Sequence, residues 1–128
     1  MSQIIENLLY TEDHEWIKVD GKTATIGITD FAQNSLGDIV FVELPDVDSE
    51  VEAGNTFGVV ESIKSVSDLY TPISGKVVDK NSGVEETPES INQNAFESWL
   101  IKVELSDDSQ LETLMSSEKY KIFCEENS

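Results

Sequence analysis

The sequence predicts a mainly β protein, a sandwich or barrel with short helices and a C-terminal helix. Three observations carry that expectation. Short segments rich in Val, Ile, Thr and aromatic residues alternate with turn signals from about residue 9 to 105. An Asp-Gly pair at 20–21 joins two of these segments as a two-residue hairpin loop does. After Leu105 the apolar residues change to helical spacing.

Taken in order, residues 15–19 (EWIKV) and 23–28 (TATIGI) form the arms of that hairpin. Thr29-Asp30 then offers an N-cap to a short helix, FAQNSL, and Gly37 closes it where a left-handed backbone favours glycine. Residues 38–44 (DIVFVEL) are the most hydrophobic strand, ended by Pro45. EVEAGNTFGVVES (50–62) supplies a further strand with Gly54 at its bend, and LYTPISGKVVDKN (69–81) follows it. EETPESIN (85–92) reads as one helical turn, with Thr87 as cap and Pro88 at the first helical position, where a missing N–H costs nothing. SWLIKVEL (98–105) completes the β region.

The remaining residues, 109–125, read as helix broken near Ser116-Ser117. Leu111, Leu114, Met115, Tyr120, Phe123 and Cys124 make its apolar stripe, which marks Cys124 as a packing residue rather than a nucleophile. Trp16 and Trp99 read as core. The whole is one domain, 1–128, with its β core at about 9–105 and a C-terminal helical segment at about 109–126. A faint repeat runs through it. Gly37-Asp38-Ile39-Val40 opens a strand much as Gly75-Lys76-Val77-Val78 does, and an acidic turn and an apolar strand follow each. Two such halves would set the segment around Lys64 between them, at a hairpin tip.

Composition narrows the function. The 128 residues are 38% hydrophobic, enough for a core and too many for a disordered acidic tail. Twenty-six acidic residues against eight lysines give a formal charge of -18, a field that repels nucleic acid and anionic lipid and favours partners with basic faces. The start, MSQIIENLLYTEDHEW, reads as neither a signal nor a transit peptide, and no apolar run is long enough to span a membrane. A lone cysteine excludes an internal disulfide and suits a reducing compartment, so a cytoplasmic protein is expected. One histidine and one cysteine make no His/Cys metal cluster, and no GxGxxG or P-loop is present. His14 is expected to pack or hydrogen-bond locally. A pair of carboxylates doing acid–base work stays open, as does an unmodified β-sandwich serving as an interaction module.

The chain has no arginine, which draws attention to Lys64 within VVESIKSVSDLYTPISG (59–75). A lysine at a β-turn tip offers an uncrowded amine to another protein's active site; the plain alternative is a solvated surface lysine. ESIKSVSDLYTPISG resembles the lipoyl-attachment motif of the glycine cleavage system H protein family. HEWIKV (14–19), ATIGITDFAQNSLGDIVFVELP (24–45), EAGNTFGVVES (52–62) and SWLIKVEL (98–105) extend the likeness over almost the whole chain.

The resemblance implies a lipoyl-domain-like β-sandwich, or hammerhead barrel, acting as a carrier rather than an enzyme. Lipoate would be joined to Lys64. A pyridoxal-phosphate glycine decarboxylase would load an aminomethyl group, and a tetrahydrofolate-dependent aminomethyltransferase would remove it. Dihydrolipoyl dehydrogenase would reoxidise the arm, a lipoate-attaching enzyme would install it, and the carrier would be a monomer. The family's arm pocket maps to Glu15, Asp68 and Asp13. A lipoyl carrier for sulfur metabolism or lipoyl relay is the alternative. Two positions depart from the family pattern: INQNAFESW (91–99) lacks its Pro-Tyr and glycines and is one residue shorter, and Ser65 stands where Ala is common.

Overall fold

A computed structural model describes residues 4–126. Among them, nine strands form two antiparallel sheets. The larger runs in the order β1 (Leu9–Tyr10), β2 (Glu15–Asp20), β3 (Thr23–Ile28), β9 (Ile101–Leu105), β8 (Gly75–Lys80) and β5 (Glu50–Val51). The smaller is β4 (Ile39–Glu43), β6 (Thr56–Ser62) and β7 (Val66–Tyr70). Ile17, Ile26, Val42, Val60, Leu69, Val77, Ile101 and Val103 fill the main core between them. Burying each such side chain contributes about 1.5–3 kcal/mol. Successive residues of a strand face opposite ways, so Trp16 leaves this core and joins a second cluster with Tyr10, Tyr120 and Cys124. That cluster seats the C-terminal helix.

Most local signals act as their chemistry requires. Gly21, φ 62°, turns the β2–β3 hairpin, but the loop is Gly21-Lys22 rather than Asp20-Gly21, because Asp20 stays in the ladder opposite Thr23. The Thr29 hydroxyl accepts from the Ala32 N–H, 3.2 Å, and opens α1 (Asp30–Leu36). Gly37, φ 81°, closes it by donating its N–H to the Gln33 carbonyl.

Several sequence expectations change. EVEAGNTFGVVES is not one strand but β5 and β6, and LYTPISGKVVDKN is divided at Thr71–Ser74 between β7 and β8; in each case the two strands lie in different sheets. The helical turn in EETPESIN becomes two: α2 (Ser82–Glu86), ended by Thr87, and α3 (Ser90–Gln93), which begins after Glu89. Thr87 therefore closes a helix instead of capping one. Residues 109–125 do break before Ser117, where α4 (Ser117–Glu126) begins, but the part ahead of the break is a 3-10 segment, Asp108–Thr113, followed by extended chain. Between them Met115 exchanges both backbone hydrogen bonds with Tyr10, 2.8 Å each, and this long-range pairing holds the chain extended. Trp99 is half-buried, with Lys102 Nζ 4.9 Å from its ring centroid, rather than core. Trp16 and Cys124 are buried.

The repeat appears in the strand register. β4 pairs β6 as Ile39↔Ser62, Phe41↔Glu61 and Val42↔Val60, with Val40 bulged out. β8 pairs β9 as Val77↔Val103, Asp79↔Lys102 and Lys80↔Ile101, with Val78 bulged out. Each pairing skips the last valine of its four-residue motif, and both valines are exposed. Lys76↔Glu104 and Gly75↔Leu105 extend the second pairing by two residues. In the first, those places fall to Ile63 and Lys64.

Candidate functional site

Lys64 lies at the tip of the β6–β7 hairpin, exposed, between exposed Ile63 and Val66. The tip needs neither Gly nor Asn, because the Ser62 side chain builds it. Ser62 Oγ accepts from the Lys64 N–H, 3.2 Å, and from the Ser65 N–H, 3.1 Å, while the Ser62 N–H donates to the Ser65 carbonyl, 2.8 Å. The Ile63 N–H donates to the Asp38 carbonyl, 3.0 Å, and ties the tip to the entry of β4. Sequence reasoning found Lys64 but missed Ser62, although a serine two residues before a turn-tip residue is itself a turn signal.

At the other end of β7 a cleft of about 290 Å³ opens between Tyr70, Thr11, Glu12, Asp13, Leu114 and Met115. Glu15 stands behind its wall, only 2% exposed. Its carboxyl accepts from the Tyr70 backbone N–H and from the Thr11 hydroxyl, the latter at 3.5 Å. Burial pushes the Glu15 pKa up to about 8, and the nearby Asp13 charge adds to the rise against these two donors. The group thus keeps its proton at neutral pH. Thr11, which sequence reasoning did not single out, also takes the N–H groups of Asp13 and Glu15 on its hydroxyl, 3.2 Å each, and shapes the turn holding all three.

The structure brings Glu15 and Asp13 together but sets Asp68 apart. Asp68 is exposed on the outer face of β7, paired with Val59 and two residues before Tyr70. His14, with φ 62°, turns from the cleft. It stacks on Phe31 at 4.3 Å, and its Nδ1 meets the Tyr120 hydroxyl at 2.7 Å, a partner far away in sequence. Burial lowers its pKa, partly offset by Asp13. No group of three His, Cys, Asp or Glu side chains able to hold a metal occurs among the described residues.

An amine on a hairpin tip thus stands at one end of a strand whose other end borders an acid-lined cleft. Fold and site together define a β-sandwich domain that presents a lysine on a hairpin. The sequence model described as Glycine cleavage H-protein matches residues 8–127, and the chain belongs to that family. It is 60% identical over 114 residues to the glycine cleavage system H protein of Staphylococcus saprophyticus, covering 88% of this chain and 90% of that one. Against the glycine cleavage system H protein of Alkaliphilus oremlandii it is 55% identical over 121 residues, covering 94% and 95%. The crystal structure of a glycine cleavage system H protein from Mycobacterium marinum matches with a TM-score of 0.84 at 37% identity, over 91% of this chain and 95% of that one. Among the described residues no helix is long and apolar enough to cross a membrane.

Proposed function

We propose that residues 1–128 act as one monomeric carrier domain in the bacterial cytoplasm, with a lipoyl group in amide linkage on Lys64 Nζ. The observation that carries this reading is the Ser62-clamped tip, which presents Lys64 on an exposed turn inside the ESIKSVSD motif. The residues present fit such a group. The amine is open to solvent, and Gly37 beside the lysine stem leaves space that a Cβ would fill. Bound there, the group supplies a dithiolane that is readily reduced and takes up an aminomethyl group on sulfur.

On this reading the chain meets a glycine decarboxylase, an aminomethyltransferase and dihydrolipoyl dehydrogenase in turn, after a lipoate-attaching enzyme has modified it. It contributes effective concentration, not catalysis. Asp68 lies four residues along the chain from Lys64, at most on the order of 14 Å. An extended lysine with an eight-carbon acyl chain reaches on the order of 15 Å. The ammonium of a loaded arm would thus fall between Asp68 and the cleft that Asp13 lines and Glu15 backs. An ammonium drawn close to Glu15 would favour that residue's ionised form and could pair with it.

Intact mass of the native protein tests the reading. Wild type should carry one lipoyl group and Lys64→Arg none, since guanidinium offers no amine to acylate. An unmodified wild type, or modification persisting in Lys64→Arg, would overturn it.

A further inference from the structure

The Lys64 side chain does not stand straight out from the tip. It lies back across Gly37, so that a Cβ there would fall 3.0 Å from Lys64 Cε, 3.6 Å from Nζ and 4.0 Å from Cδ. Gly37 is therefore a seat for the outer half of the lysine stem, and it can be one only while its own turn is held still. Asn92, from α3, holds it. Asn92 Nδ2 donates to the Gly37 carbonyl, 2.8 Å, and to Gln33 Oε1, 3.0 Å. Its Oδ1 accepts from the Ile39 N–H, 2.9 Å. The residue between, Asp38, gives its carbonyl to the Ile63 N–H next to the lysine. One amide thus fixes both the seat under the stem and the anchor of the tip, from a segment that carries no part of the attachment motif.

We propose that Asn92 is a positioning residue for the Lys64 arm: through the 37–39 turn it holds the lysine in the orientation in which its amine is acylated. This rests on Lys64 being the lipoylation site. In that step the lone pair of the unprotonated Nζ attacks the acyl carbon of a lipoyl adenylate, the mixed anhydride formed from lipoate and ATP, and AMP is the leaving group. The C–N bond forms, the bond to the leaving group breaks with its electron pair, and the amine's proton passes to solvent. A lysine stem with four rotatable carbons presents its amine correctly only part of the time unless something holds it. When the competent fraction falls, the apparent affinity of the modifying enzyme falls in proportion, while turnover of the bound, correctly placed substrate does not.

The test uses the full, unmodified chain as substrate for a lipoate–protein ligase supplied with lipoate and ATP. Asn92→Ala should raise KM for the chain about five- to tenfold and leave kcat within about twofold. Asn92→Asp keeps the acceptor for the Ile39 N–H, loses both donors, and should raise KM in the same direction. In proton NMR the Lys64 Hε to Gly37 Hα contact should be present in wild type and lost in both variants. Amide protection in β3 and β9 should be retained. An unchanged KM in both variants, a surviving Lys64–Gly37 contact, or a general loss of β3 and β9 protection with no separate effect on KM would overturn the proposal. If Asn92→Ala does not fold, Asn92→Asp decides. Failure of the lipoylation reading would look different: wild type itself would gain no mass at Lys64, whatever the NMR contact showed.

Discussion

The hydroxyl of Tyr120 on α4 lies 2.7 Å from Nδ1 of His14, 106 residues earlier in the chain. The same hydroxyl lies 2.7 Å from Thr29 Oγ1, and the Tyr120 ring stacks on Tyr10 at 4.4 Å. Tyr120→Phe keeps the stack and strips the hydroxyl, leaving His14 and the buried Thr29 each short of a partner. The expected cost is about 1–2 kcal/mol, read from the urea midpoint, with faster amide exchange in α4 before the β core. His14 binds its proton less readily in the folded chain than its ordinary 6.5 implies. The contribution of His14 to stability should therefore be full above that pH and be lost as the medium is acidified below it, and His14→Gln should remove that part of the profile. An unchanged profile would place the acid sensitivity on carboxylates.

Ser62→Ala removes the acceptor of two N–H groups at the tip. It should cost about 1 kcal/mol and speed amide exchange at Lys64 and Ser65 without disturbing Val60. Lys64 should still be lipoylated, more slowly. Ser62→Thr restores the hydroxyl and should restore the rate.

Glu15 carries its proton in the folded chain up to a pH of about 8 and in the unfolded chain only to about 4.5. Between those values the folded state holds more protons, so its stability falls as pH rises, by at most roughly 5 kcal/mol. Glu15→Gln is neutral throughout. It should match wild type near pH 5 and exceed it above pH 8 in chemical denaturation. On the loaded protein the same change should act in the opposite direction, since glutamine cannot pair with the ammonium. Spontaneous formaldehyde release should be faster for Glu15→Gln, and less so for Asp68→Asn, most clearly above neutral pH. Equal release rates at every pH would leave these acids without a part in protecting the arm.

A formal charge of -18 should steer encounter with basic partner surfaces. The apparent KM of the glycine decarboxylase for the lipoylated protein should rise with ionic strength while kcat changes little. A KM that stays flat between low and high salt would assign the acidic surface to solubility.

What the sequence made legible is what short-range chemistry decides. Gly21, Thr29 and Gly37 each act within a few residues of themselves, and the structure uses each as its chemistry suggests, although the hairpin loop falls one residue later than Asp20-Gly21. The paired GDIV and GKVV motifs were legible for another reason, since a repeated pattern carries a repeated register. What stayed hidden depends on distant partners. Leu114 and Met115 keep helical spacing yet lie in an extended stretch, because Tyr10 offers its backbone groups. Glu15 looks like any carboxylate of an acidic chain until Tyr70 and Thr11 close over it. The part played by Asn92 arises from three contacts with residues more than fifty positions away.

The shared register of the two strand pairs has a historical consequence. A chain that arose by doubling a single unit would begin with two equivalent ends, one opposite each glycine. At one end Leu105 stays in the ladder, paired with Gly75 and bonded through its N–H to the Lys22 carbonyl, 2.7 Å, before the chain runs on toward α4. At the other, the ladder stops at Ser62, the chain doubles back, and Lys64 is left over Gly37. Descent from a duplicated ancestor would then have given one copy a clasp and the other an arm. One molecule would carry one cargo because its twin attachment point had been sewn shut.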